Sequence, residues 1–169
     1  MAIRVPLQVR SYELDALGHV NHAVYHQYGE VARVAGFRAA GCDWDGLIEK
    51  NLAPVLLSTT VHFRQELRVD ERFEVSCEVS FGEGKSFHLD SVVTKDSGAV
   101  SAEIGCVLGL MDLDARKLVA DPKAALEAVG FDASVLSKEW RNRASGKDEL
   151  RTRHRKIVFS AGWHCRRDC

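Results

Sequence analysis

The sequence predicts an α+β domain: one long helix lying across an antiparallel sheet of about five strands. Three observations carry this. Val5, Leu7 and Val9 alternate with polar neighbours near the start, the pattern of a strand with one buried face. Val24, Tyr28, Val31, Ala32, Ala35 and Ala39 then recur at spacings of three and four, which lines one side of a helix. From residue 54 onward period two returns in four segments broken by short polar turns. A helix and a sheet that are each apolar on one side must cover one another.

The helix is expected to begin near Asn21, a good N-cap because its side-chain oxygen can accept from a first-turn amide. It carries Gly29 and Gly36, each costing roughly 1 kcal/mol against Ala, a sign of close approach to the sheet. It is expected to stop by Gly41, and Asp43 to Ile48 read as a short helical turn. The first long strand is placed over residues 54–69, with Val61, Phe63, Leu67 and Val69 on its apolar face. The second carries Phe73, Val75, Cys77, Val79 and Phe81; the third Phe87, Leu89 and Val93; the fourth the alternate residues from Val100 to Leu110. Turns fall at residues 82–85 and 96–98, so the four strands read as a meander. Asp121 and Pro122 then cap and open a short helix running to about Val129. Residues 1–130 are taken as the domain, 131–144 as a short helical extension, and 145–169 as a basic, disordered tail.

A chain of 169 residues suits one domain with a sizeable core. From Ser145 onward seven Lys/Arg face three Asp/Glu, leaving 16 against 21 before it. The acidic body speaks against nucleic acid as a partner. No stretch approaches the ~20 apolar residues of a membrane span, and no apolar leader run stands at the start. The five cysteines form no paired motif, so neither a zinc site nor a disulfide framework is expected, and a reducing cytoplasm fits.

The chemistry concentrates between Asp15 and Arg33. Asp15 precedes a helix start, where free amides and the positive dipole end point outward. Such a start can hold a developing oxyanion, and a neighbouring carboxylate can attack a carbonyl or deprotonate water. The plainer role for Asp15 is to satisfy turn amides. His19 either hydrogen-bonds Asp15 or simply closes the turn. Asn21 is read first as a cap, Tyr25 as a core residue or a pocket wall, and Glu30 as a partner of Arg33 before a second site carboxylate.

The run Asp15, Gly18-His19-Val20-Asn21, then Tyr25, Tyr28 and Glu30, resembles the signature of the hotdog-fold acyl-CoA thioesterases of the 4-hydroxybenzoyl-CoA thioesterase type. The likeness in order of elements covers about residues 3–125. It implies a hotdog fold, an acyl-CoA substrate, no cofactor or metal, and a homodimer or homotetramer in which sheets join edge to edge. Carried over by position, Asp15 is nucleophile or general base, the His22 backbone amide polarises the thioester carbonyl, and His19 stands beside Asp15. Asn21 and Tyr25 are placed at the substrate. The related acyl-carrier-protein thioesterases have a functional Asn where this chain has Leu17, which favours the CoA branch. CoA phosphates call for cations at the site mouth, and Arg64, Lys85, His62 and Arg68 are the candidates, with solvated strand faces as the plainer reading of each. Two rivals are a non-catalytic acyl-CoA-binding module and an enoyl-CoA hydratase. No GxSxG elbow is present, which argues against an α/β-hydrolase.

Overall fold

The computed structural model describes residues 3–137. Strand β1 (Ile3–Gln8) leads through a 3-10 turn (Ser11–Glu13) to the long helix α1 (Val24–Ala39) and the short helix α2 (Trp44–Glu49). Strands β2 (Leu52–Phe63), β3 (Arg72–Phe81), β4 (Ser86–Lys95) and β5 (Val100–Asp112) follow. A two-residue strand β6 (Lys117–Leu118), helix α3 (Pro122–Ala128) and a 3-10 turn (Ala133–Leu136) complete the described chain. The sheet is antiparallel in the order β1-β3-β4-β5-β2, with β6 added to β5.

Alternation decides which face is buried. Val75, Cys77 and Val79 of β3, Phe87, Leu89 and Val93 of β4, and Ala102, Ile104, Leu108 and Leu110 of β5 all point into the core. Helix α1 crosses this face and buries Tyr25, Tyr28, Gly29, Ala32, Gly36 and Phe37 against it. The two helical glycines stand where the sheet is nearest: an added Cβ would lie 2.7 Å from Cys77 Sγ at Gly36 and 3.3 Å from Ile104 Cδ1 at Gly29. At the far end of α1, Phe37 packs its ring against Trp44 and Phe131 at 5.1 Å each. Leu136 enters the same core, so residues 131–137 pack with the domain. Asp43 caps α2 through the Gly46 amide, and Asp121, as expected, caps α3 through the Ala124 amide with Pro122 at its first turn.

The α+β hotdog arrangement is as expected; four details differ. Asn21 is not the cap of α1, which starts at Val24 behind Ala23. Its side chain instead accepts from the Ala23 amide at 2.9 Å and closes the turn that feeds the helix. The buried stripe of α1 is rotated from the expected one, because the bulky contacts are made by Tyr25 and Phe37, and Val31 is left 45% exposed. The first long strand ends at Phe63, not near residue 69: the Arg64 and Gln65 amides both turn onto the Ser101 carbonyl, which breaks the ladder. Only β3, β4 and β5 form a meander, since β2 crosses to the outer side of β5. The rest of the region expected to form a helical extension, and the basic tail, lie outside the described residues.

Candidate active site

Residues 14–20 fold into a closed turn whose stems are held by a bridge between Leu14 and Val20. The Asp15 amide donates to the His19 carbonyl at 2.9 Å, and the Gly18 amide to the Asp15 carbonyl at 3.1 Å. Gly18 has φ +78°, a left-handed backbone that a side chain would strain. The Asp15 carboxylate accepts from the Leu17 amide at 2.8 Å through Oδ1, while Oδ2 stands 3.2 Å from His19 Nδ1. Asp15 thus satisfies a turn amide, the plainer of its sequence readings, and also lines a cavity. The same holds for His19, which closes the turn and contacts the carboxylate. His19 Nε2 is buried with no partner among the described residues.

That cavity is a cleft of about 460 Å³. Asp15, His19, His22 and Tyr25 form one wall; Phe63, Arg64, Gln65 and Glu66, the chain that leaves β2, form the other. The His22 amide makes no hydrogen bond among the described residues, whereas the amides that follow, of Ala23 and Val24, are taken by Asn21. Asp15 and His22, the latter two residues before α1, thus line one cleft. Tyr25 is buried, its ring edge-on to Phe63 at 5.1 Å. Ser101 Oγ donates to the Gln65 carbonyl at 2.7 Å, so at 3.2 Å it accepts from the Tyr25 hydroxyl. Burial raises the Tyr25 pKa and keeps that hydroxyl a donor. The two walls are therefore tied through one side-chain relay.

The remaining candidates divide. Arg64 lines the cleft, but its Nη2 and Nε already meet Glu103 Oε2 at 2.6 and 3.0 Å. Arg68 is paired with Glu66 at 2.7 Å, and Glu30 with Arg33. Arg33 is largely buried beside Thr59 and Cys106 in a smaller groove of about 220 Å³, and burial lowers its pKa. Asn21 shapes the turn and does not line the cleft. Lys85 sits in the β3–β4 hairpin beside Ser86, which pairs with Gly109, whereas the cleft lies at the opposite end of β5 near Ala102. The length of the sheet separates Lys85 from Asp15. His62 lies with Asp90 and Glu103 on the other face of the sheet.

Glu13 escaped the sequence reading. It is 5% exposed, and its carboxylate accepts from the Tyr28 hydroxyl at 2.7 Å and the Arg10 amide at 2.8 Å. Its sequence neighbours Tyr12 and Leu14 do not distinguish a buried acid from a surface one.

A single antiparallel sheet laid over one central helix, with a carboxylate turn feeding the helix start, defines the hotdog class. The chain belongs to the thioesterase-like superfamily, whose family model matches residues 9–129. It is 26% identical over 119 residues to the long-chain acyl-CoA thioesterase FadM of Escherichia coli (strain K12), covering 70% of this chain and 89% of that protein. It is 31% identical over 91 residues to the chloroplastic acyl-acyl carrier protein thioesterase ATL3 of Arabidopsis thaliana, 54% of this chain but only 48% of that protein. The crystal structure of YbaW from Escherichia coli superposes with a TM-score of 0.69 at 24% identity, covering 79% of this chain and 98% of that one.

Proposed function

We propose that this protein hydrolyses acyl-CoA thioesters to a carboxylic acid and free CoA, with Asp15 as nucleophile or general base. The observation that carries the reading is that Asp15 and His22, whose amide has no partner among the described residues, line one cleft. With the thioester carbonyl oxygen on the His22 amide, negative charge developing on that oxygen is held at a helix start; a donor of this kind is worth ~2.7–4 kcal/mol. Water that Asp15 deprotonates adds to the carbonyl and expels the thiolate, or Asp15 itself attacks and expels it, leaving a mixed anhydride that water then hydrolyses to the acid and the free carboxylate. The departing thiolate is a good leaving group (free thiol pKa ~8.5), so one carboxylate suffices without a strong acid. His19 orients the Asp15 carboxylate, and Tyr25 with Phe63 walls the acyl side of the cleft. Family membership and the FadM likeness support the hydrolase class.

The same reading takes CoA as the carrier, the cytoplasm as the location and a homodimer or homotetramer as the working unit. Strand β2 supports the last point. It is the outer strand of the sheet and leaves Leu56, Leu57 and Phe63 about half exposed.

The test is thiol release from a panel of short, long and aromatic acyl-CoAs, with an acyl-carrier-protein thioester alongside. Turnover of acyl-CoA that falls at least ~100-fold in Asp15→Asn is the expected result. Unchanged rates in that variant defeat the assignment, and preference for the carrier-protein thioester defeats the choice of CoA.

A further inference from the structure

We propose that Glu13 is a positioning residue for the Asp15 turn, acting by locking that turn to α1 through Tyr28 and to the end of β1 through Arg10. This rests on the reading of Asp15 given above. Glu13 stands two residues before Asp15 and is almost fully buried, so its carboxylate needs strong partners. It has three. Oε2 accepts from the Tyr28 hydroxyl at 2.7 Å and from the Arg10 amide at 2.8 Å, and Oε1 faces Arg10 Nη1 at 3.5 Å. Its backbone acts on the same turn from the other side, because the Asn21 amide donates to the Glu13 carbonyl at 2.9 Å.

Both stems of the turn are therefore referred to this one residue. The outgoing stem meets its carbonyl, and the incoming stem is its own chain. Tyr28 lies on the buried face of α1, ring against Phe73 at 4.8 Å, so it cannot follow a loosened turn. Within itself the turn is held by backbone bonds and by the Asp15 carboxylate on the Leu17 amide and the His19 ring, and the Val20 amide ties it to the Leu67 carbonyl. Losing the Glu13 carboxylate leaves the Tyr28 hydroxyl and the Arg10 amide without an acceptor and frees the turn to shift relative to the His22 amide. A displacement of the order of 1 Å at a reacting group is enough to cost ~100-fold in rate.

The experiment compares Glu13→Ala, Glu13→Gln and Tyr28→Phe with Leu136→Ala, a buried truncation beside the other end of α1. Thiol release from acyl-CoA gives kcat and KM, and amide hydrogen exchange gives the protection of Leu17 and Gly18. Glu13→Ala is expected to lower kcat by about tenfold or more with KM within about threefold, and to speed exchange in the turn by a similar factor. Gln keeps the acceptor and restores most of both, and Tyr28→Phe falls between. Leu136→Ala lowers Tm without either effect. An active wild type whose kcat and turn protection survive Glu13→Ala overturns the inference, as does an equal kcat loss in Leu136→Ala or a Gln variant as impaired as Ala. A wild type inactive on every thioester overturns the functional reading instead, and turn exchange alone then decides the role of Glu13.

Discussion

A methyl group added to Gly36 would stand 2.7 Å from the sulfur of Cys77, closer than carbon and sulfur can rest. Helix α1 meets β3 there, and the fit is set by the pair, not by either residue. Gly36→Ala is expected to destabilise the protein by about 1–3 kcal/mol through overpacking, although Ala is the better helix former by about 1 kcal/mol. In a Cys77→Ala background, where the sulfur is gone but the Cβ at 3.3 Å remains, the same change is expected to cost markedly less. Urea unfolding of the four proteins of this cycle measures the coupling, and additive effects would refute it.

Burial pushes the Cys77 thiol up to about 12. An unfolded thiol loses its proton near ~8.5, so between those values the folded state holds the extra proton. Stability from this group is full below the lower value and falls as pH rises, by at most ~1.4 kcal/mol per pH unit. Cys77→Ala is expected to flatten the alkaline limb of stability against pH, read as urea midpoints between pH 8 and 11.

Glu71 titrates in the opposite sense. Burial raises its pKa, but the Arg68 amide at 2.7 Å and the Lys95 ammonium at 3.0 Å outweigh that and hold the carboxyl below its usual range. A depressed carboxyl stabilises the fold above its unfolded value of ~4.3 and loses that contribution as pH falls through the folded one. The midpoint difference between wild type and Glu71→Gln should therefore be widest near neutral pH and close toward pH 3.

Asp121 accepts from the Ala124 amide at 3.0 Å. Asp121→Ala should cost about 1 kcal/mol, the usual worth of such a cap, and thermal melts check it. Thiol release should be unaffected, since α3 does not line the cleft.

The Arg64 guanidinium is neutralised by Glu103 at 2.6 Å, with both side chains about half exposed. If Arg64 meets a CoA phosphate, Glu103→Gln releases it and lowers KM for acyl-CoA by roughly two- to fivefold with kcat unchanged, as expected of a contact made equally in ground and transition states. A short acyl thioester lacking phosphates should show no change, and an equal change in both substrates would point to a shape effect instead.

The periodic parts of this chain were legible. Phe73 to Phe81 alternates in sequence, and the structure places β3 there with Phe73, Val75, Cys77 and Val79 buried under α1; Ser76 and Glu78 on the alternate face are buried as well, which the alternation does not reveal. Phe63 reads as core by alternation yet is half exposed, since the chain leaves the ladder just after it and α1 covers it only through Tyr25. Periodicity reports a face, not whether anything lies over it. Asp15, His19 and His22 could be found together because their spacing is local, set by one turn. Glu13 could not, because its burial depends on Tyr28, which only the packed helix brings over it. Lys85 failed as a cleft residue for a related reason: a hairpin reverses the chain, and which end of the sheet it falls on follows from strand order.

Strand order also bears on how the chain first acquires its shape. The two strands that bracket α1, β1 and β2, end up on opposite rims of the sheet, and each waits for a neighbour made later: Ile3 for Cys77, Phe63 for Ala102. Nothing in the first 63 residues offers either strand a ladder, so a nascent chain halted there has no native sheet to join. Hairpins between β3, β4 and β5 close over few intervening residues at little entropic cost, which makes these three strands the natural seed and the Asp15 turn among the last parts to settle.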